Sequence, residues 1–362
     1  NATDARQRME AVNYLTSSSK RHIRELLAAK LKKNDLGEYL EDSVEVRSAI
    51  DDAIAKIDRK LILIDYLGRL FSGLSLGSIL LLAAMGLAIT YGLLGVINLA
   101  HGEMLMIGAY ATYVTQQLFT SFLPNFFDLY ILAAIPVAFL SAAVIGVLLE
   151  RTVIRWLYGR PLETLLATWG ISLFLIQSVR QIFGAQNVEV SNPNWLSGGV
   201  ELWNVVMPFN RIAIIIFAVF VLGGIWLVIS QTRLGLFIRS VTQNRSMASC
   251  VGVNTAKIDM LAFGLGSGIA GLAGVALSQI GNVGPDLGQA YIIDSFMVVV
   301  LGGVGQLAGT VYAAIGLGGF SKLIEPSVGA VLAKIVILVF IIAVIQKRPQ
   351  GLFALKGRFV ED

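Results

Sequence analysis

The chain has 362 residues, 56% of them hydrophobic and only 14% charged, with a mean hydropathy of +0.73. Soluble domains carry about 25% charged residues, so the composition excludes an ordinary soluble fold. The net charge of +4 is spread between apolar spans rather than gathered into a basic patch, and no nucleic-acid partner is expected. A single cysteine, Cys250, excludes an internal disulfide and any multi-cysteine metal site, and no cofactor or metal is expected.

Residues 1–60 are dense in both signs of charge and lack Trp and Phe. Ile50, Ala53, Ile54 and Ile57 recur at helical spacing, as do Leu26, Leu27, Lys30 and Leu31. This predicts a small N-terminal helical extramembrane module, too short to own a large core. The sequence starts at Asn1 with neither Met nor an apolar leader. A removed signal peptide and simple trimming account for that start equally, and on the first reading the module is periplasmic.

From Leu61 the apolar spans are predicted at 67–91, 103–120, 129–149, 162–184, 210–230, 258–280, 291–302 with 308–323, and 328–346. About 20 apolar residues cross a bilayer core, so the expected fold is all-α: a polytopic membrane helical bundle of about eight to nine spans with broken or re-entrant helices. Basic residues mark cytoplasmic loops. Arg151, Arg155 and Arg160 mark one, Arg233, Arg239, Arg245 and Lys257 a second, and Lys347, Arg348, Lys356 and Arg358 the C-terminal tail 347–362. The loop 185–209 has no Lys or Arg and belongs to the opposite side. That parity places the C-terminus inside and requires 291–323 to be a broken pair making a complete hairpin.

Among Asp, Glu, Lys, Arg and His, residues 71–118 carry only His101 and Glu103, within the string Asn98-Leu99-Ala100-His101-Gly102-Glu103. Polar groups at membrane depth are costly and line a path or a partner contact. A lone His suits a cap between two helices better than a proton relay, with Glu103 as the acid of a first turn. Arg180, near the end of its span, is expected to snorkel to the interface, and Asp294 to play a structural part at a helix start.

The stretch from Gly95 to Gly102 (GVINLAHG) is echoed from Gly303 to Thr310 (GVGQLAGT), with Gly108 matching Gly316 and Leu76-Gly77-Ser78 matching Leu265-Gly266-Ser267. Paired glycine-interrupted segments in two halves point to a midplane transport path. Gly266, Gly268 and Gly271 fit a nucleotide-loop spacing, but they lie inside an apolar span. With Gly264 and Gly274 they are read as a close helix-packing face. The chain has no Gly-Lys dipeptide and hence no phosphate loop of the Walker type, so any ATP hydrolysis belongs to another polypeptide. Segment 231–257 is long and basic. A surface helix there, carrying Leu236, Ile238, Val241 and Met247, is suited to a groove on a cytoplasmic partner; an ordinary positive-inside loop is the plainer alternative.

The strings GVINLAHGEMLMIGAYATYV (95–114), GRPLETLLATWGISL (159–173), FGAQNVEVSNPNWLSGG (183–199), the run 239–275, LGGVGQLAGT (301–310) and KRPQGLF (347–353) carry a family resemblance. The chain resembles the permease subunit of the branched-chain amino acid type of ABC importers, and within it the urea branch. The second and third strings tilt it that way. The resemblance implies a transmembrane permease domain over 61–356, a second homologous permease subunit, two cytoplasmic ATPase subunits and an external substrate-binding protein. It also implies a bacterial inner-membrane location and a cytoplasmic coupling loop at 231–257. In that loop Arg239, Asn244, Arg245 and Gly252 are the expected coupling residues. The expected function is to form the path for urea, with branched-chain amino acids or short amides as the alternative cargo and an ATP-independent channel or carrier as a further one. A small neutral solute needs hydrogen-bonding groups rather than a fixed counter-ion. Asn98, Gln306, Thr168, Gln177 and Gln279 are therefore expected to line the substrate path beside His101 and Glu103. No enzymatic activity of the chain itself is expected.

Overall fold

A computed structural model describes residues 4–18, 20–33, 39–95, 98–202, 205–348 and 351–353. Two compact units divide the chain: Asn1–Phe71 with Gly199–Met207, and Ser72–Gly198 with Pro208–Asp362.

The first unit contains α1 (Ala5–Leu15), α2 (Arg21–Lys30), the N-terminal part of α3 (Val44–Leu94) and a two-stranded sheet of β1 (Gly199–Leu202) and β2 (Val205–Pro208). Asp4 caps α1, its carboxylate accepting from Arg6 N at 3.1 Å. Three helices are short of apolar surface, and their common core is small: Val12, Leu27, Val46, Ile50, Ala53 and Ile57. Of the helical-spacing set, Ile54 and Leu31 are half-buried at its edge, while Leu26 is exposed. Arg21–Asp65 and Arg24–Asp58, each at 2.9 Å, tie α2 to α3. Exposed pairs of this kind contribute about 0.2–1 kcal/mol each, so the apolar core dominates.

The second unit is an all-α bundle built from the rest of α3 and from α4 (His101–Phe122), α5 (Tyr130–Thr152), α6 (Pro161–Phe183), α7 (Phe209–Gln231), α8 (Arg233–Gln243), α9 (Arg245–Cys250), α10 (Thr255–Ser278), α11 (Leu287–Gly302), α12 (Leu307–Val328) and α13 (Ala330–Lys347). Seven helices among the described residues are long and apolar enough to cross a membrane: Val44–Gly92, Pro124–Trp156, Pro161–Phe183, Phe209–Gln231, Thr255–Ser278, Leu307–Val328 and Ala330–Lys347. The buried helix α4 and the short α11 accompany them. The chain is thus a polytopic helical membrane protein.

The centre of this unit is α10, buried along nearly all of its length between α4 and α5. Its glycines make that possible. A Cβ on Gly271 would stand 2.5 Å from the Ala138 carbonyl oxygen and 2.7 Å from the Ala142 methyl of α5. Gly108 of α4 lies against Gly271 from the other side, and Gly266 packs on Gly86 of α3. On α5 the inward face reads Ala134, Ala138, Ala142 and Gly146, one small residue every four. Lipid tails are as apolar as Leu, so helices associate here by close backbone packing of small residues rather than by hydrophobic burial. The outward faces carry large apolar side chains instead, such as Leu140, Val144 and Leu148 on α5 and Val219, Phe220 and Trp226 on α7.

Candidate functional site

Both echoed strings begin just past a helix end. Gly95, φ +67°, follows the end of α3, and Gly303, φ +100°, follows the end of α11. Both are left-handed positions that suit glycine at a helix C-terminus. A new helix starts downstream of each, α4 at His101 and α12 at Leu307. The last turn of α3 lies against the second of these breaks, since a Cβ on Gly92 would stand 3.2 Å from Gly305 Cα. The repeat in sequence is therefore a pair of broken-helix corners brought together inside one unit.

The first corner holds a buried polar group. Asn98, His101 and Glu103 are 2%, 0% and 1% exposed. His101 Nε2 lies 3.2 Å from the Ala83 carbonyl oxygen of α3, which requires the tautomer with its proton on Nε2. Glu103 sits in the first turn of α4, where the helix dipole favours an anion. Its Oε1 accepts from the Ser172 hydroxyl of α6 at 2.8 Å. Its Oε2 has no hydrogen-bond partner among the described residues and faces Gly288 of α11, where an added Cβ would come within 2.8 Å. The Asn98 Oδ1 and His101 Nδ1 atoms are likewise buried and unpartnered among the described residues. Leaving a buried acceptor unmatched costs about 1–3 kcal/mol. Three such atoms lie within six residues at the start of α4.

The other expected path residues divide. Thr168 is fully buried, and its hydroxyl accepts from Leu99 N at 3.3 Å, so it belongs to this corner. Gln306 is half-buried at the N-cap of α12, its carbonyl accepting from Thr310 N at 3.0 Å. Gln279 is buried but fully engaged at the far end of α10. Its side chain accepts from Tyr130 OH at 3.3 Å and donates to Ser278 Oγ at 3.0 Å, while its carbonyl accepts from Asn210 Nδ2 at 2.9 Å. Gln177 is exposed on the outer face of α6. Ser172 was not singled out from the sequence. The signal was present as Thr164, Thr168 and Ser172, one hydroxyl every four residues along the inner face of α6.

Segment 231–257 forms two helices rather than one. On α8, Ile238 and Val241 turn inward and are buried, leaving Leu236 exposed; Met247 on α9 is exposed as well. Arg239 is exposed on the outer face of α8. Asn244 caps α9, its side chain accepting from Met247 N at 2.9 Å. Gly252, exposed, takes φ +89°. Arg245 turns inward: its guanidinium pairs with the fully buried Asp259 carboxylate at the start of α10 and stands 4.3 Å from the centroid of the Tyr158 ring. Burial and the neighbouring Asp259 and Glu150 carboxylates push the Tyr158 phenol above its ordinary range. Asp259 and Tyr158 were not singled out from the sequence, where Asp259 falls at the start of the apolar run 258–280. Arg180, expected at the membrane interface, pairs with Asp286 at 2.8 Å, and Asp294 pairs with Lys334 at 3.1 Å.

Comparison with known proteins agrees with this architecture. The family model described as branched-chain amino acid transport system / permease component matches residues 69–345. The chain is 31% identical over 294 residues to the high-affinity branched-chain amino acid transport system permease protein BraD of Pseudomonas aeruginosa, covering 79% of this chain and 95% of the relative. It is 28% identical over 292 residues to the corresponding LivH protein of Escherichia coli, with the same two coverages. A shorter stretch of 100 residues, 26% of this chain and 31% of the relative, is 31% identical to the ribose import permease protein RbsC of Escherichia coli. No solved structure matches. With more than half of its length inside the family match and its bundle formed by that same stretch, the chain belongs to the permease component family of branched-chain amino acid transport systems.

Proposed function

We propose that this chain is the membrane permease of an ATP-driven importer in a bacterial inner membrane and that it carries a branched-chain amino acid. The observation that carries this reading is the family match over 69–345, supported by the names of the relatives that cover 95% of their own length. A second homologous permease, two cytoplasmic ATPases and an external binding protein complete the assembly. The N-terminal unit lies outside and the C-terminus inside. Asn98, His101, Glu103, Thr168 and Gln306 line or gate the path. The exposed Arg239, Leu236 and Met247 face the ATPase.

A second cargo, urea or a short amide, is favoured by one observation. The unpartnered acceptors Asn98 Oδ1, Glu103 Oε2 and His101 Nδ1 call for N–H donors, and urea carries donors on both nitrogens. The test is uptake of labelled leucine and labelled urea into proteoliposomes holding the whole assembly, with and without ATP. ATP-dependent leucine uptake that ignores excess urea establishes the first cargo. ATP-dependent urea uptake that ignores excess leucine establishes the second. Flux that needs no ATP overturns the importer reading.

A further inference from the structure

The buried Glu103 corner lies close to the surface at one point. Gly288 of α11 faces Glu103 Oε2, and Asp286, two residues before it, is exposed. Two residues reach about 7 Å at most, so the surface is near a carboxylate that is itself 1% exposed. Arg180 of α6 reaches the same point. It stands about two turns beyond Ser172, the donor to Glu103 Oε1, and continues the face that carries Thr168, Ser172 and Ile176. Its Nη2 donates to Asp286 Oδ1 at 2.8 Å. The third side is α4, where Tyr110 lies about two turns beyond Glu103 with its ring 4.7 Å from that of Phe183 at the end of α6.

The fold does not need this pair as a tie. Val188 and Val283 exchange both backbone hydrogen bonds, at 2.8 and 2.9 Å, and so pin the loop after α6 to the loop before α11. Asp286 stands at the N-cap of α11, where the helix dipole already supports an anion. The Arg180 and Asp286 side chains are 39% and 65% exposed, and pairs so exposed contribute little to stability. They part at little cost. The inward side is different. Arg180 Nε and Tyr110 OH are buried and have no hydrogen-bond partner among the described residues. A tie alone gives no reason for the guanidinium to reach from an exposed pair to a buried, unmatched donor.

We propose that Arg180 and Asp286 form a side-chain gate over the Glu103 corner. Paired, they cover it; parted, they admit a solute between α4, α6 and α11 while the backbone stays pinned at Val188 and Val283. The gate rests on the reading that Glu103 lines the path, and it acts on passage whichever solute is carried. It lies at the end of the bundle that carries the loop 185–209, the side from which an importer receives its solute. Closing behind the solute keeps it from escaping outward while the ATPases turn over.

The first test reads the cover on the purified full-length chain in detergent, without ATP. Ser172→Cys, combined with Cys250→Ser, puts a single thiol at the corner, and a trimethylammonium thiosulfonate is the probe. Labelling is expected to be at least tenfold faster when Asp286→Asn or Arg180→Gln is added. The two changes shift the local charge in opposite directions, so acceleration by both is opening rather than attraction of the reagent. Asp286 is exposed, and its near-isosteric change leaves the chain folded. Ala142→Cys, buried between α5 and α10, is the control thiol and should keep its rate. No acceleration, acceleration by only one change, or equal acceleration at the control thiol overturns the proposal. The second test uses the whole assembly in proteoliposomes, with Ser172 and Cys250 intact, and whichever of labelled leucine and labelled urea it takes up with ATP. Asp286→Asn should lower the solute moved per ATP hydrolysed at least threefold while ATPase activity is kept. An unchanged ratio overturns the gate even where labelling accelerates. Failure of the importer reading shows instead as no ATP-dependent uptake by the unaltered assembly, and the labelling then decides the proposal.

Discussion

Gly271→Ala is the sharpest probe of how this bundle is held together. The added Cβ would stand 2.5 Å from the Ala138 carbonyl oxygen and 2.7 Å from the Ala142 methyl, with Gly108 against the same residue from the opposite side. Ordinary contact begins near 3.4 Å, so α10 and α5 must part by roughly 0.9 Å, and neither neighbour is a flexible side-chain tip. Overpacking a well-filled core costs about 1–3 kcal/mol. The upper part of that range applies here, because α4 on the other side blocks the compensating shift. Helix propensity works in the opposite direction, since alanine in a helix interior is favoured over glycine by about 0.5–1 kcal/mol. The expected net loss is about 1.5–2.5 kcal/mol, read as a lowered thermal midpoint of the full chain in detergent. Gly316→Ala on α12 and Gly170→Ala on α6 are the controls, because nothing lies within 4 Å of a Cβ at either. Both should be neutral or slightly stabilising. Gly316 is also the echo partner of Gly108, so the comparison separates packing from sequence repetition. A Gly271→Ala chain as stable as the Gly316→Ala chain would refute close backbone packing as the basis of the core.

Four further outcomes follow from the same geometry. Ile57→Ala empties a fully buried position in the N-terminal unit and should cost that unit about 2–5 kcal/mol, checked by protease protection of residues 1–71. Asp259→Asn leaves the inward-facing Arg245 without its anion and should lower ATP-driven uptake more than it lowers ATPase activity; equal losses would reduce the pair to a fold contact. Ser172→Ala removes the donor to Glu103 Oε1 and should cut uptake at least several-fold without unfolding the chain, measured in the reconstituted assembly. Tyr158 has a raised folded pKa, so its contribution is complete below its ordinary value of 10.0 and is lost as pH climbs through the folded value. Tyr158→Phe should therefore flatten the decline in thermal midpoint above pH 10, and an unchanged slope would remove Tyr158 as its source.

What could be read from residue order was whatever depends on neighbours along the chain. The apolar runs, the glycine face at Gly264, Gly268, Gly271 and Gly274, and the break between α11 and α12 are periodic or local, and each is found where its pattern placed it. Side-chain partners are another matter. Ile238 and Val241 carry the same hydropathy as Leu236, and only the packing of α8 against the bundle decides which of them is covered. Gln279 and Thr168 are both polar groups in apolar runs. One closes hydrogen bonds with Tyr130 and Asn210 from distant elements, while the other sits beside Leu99. Arg245 reads as one more basic loop residue until Asp259, fourteen positions on, is found beneath it.

The buried corner at α4 has a further physical consequence. Glu103 is placed where its charge is supported by a helix N-terminus and one hydroxyl rather than by a Lys or Arg. A fixed cation would satisfy Oε2 permanently. A helix dipole supports the same oxygen without filling the space beside it, and Gly288 keeps the facing wall free of a side chain. His101 repeats part of this pattern, with Nε2 bonded to the Ala83 carbonyl and Nδ1 unpartnered among the described residues. The close packing of α10 between α4 and α5 adds to the bonds that Ala83, Ser172 and Thr168 make to the corner. Packing and polarity are thus supplied by different residue types: small residues bring the helices together, and the corner keeps buried polar atoms without a partner among the described residues.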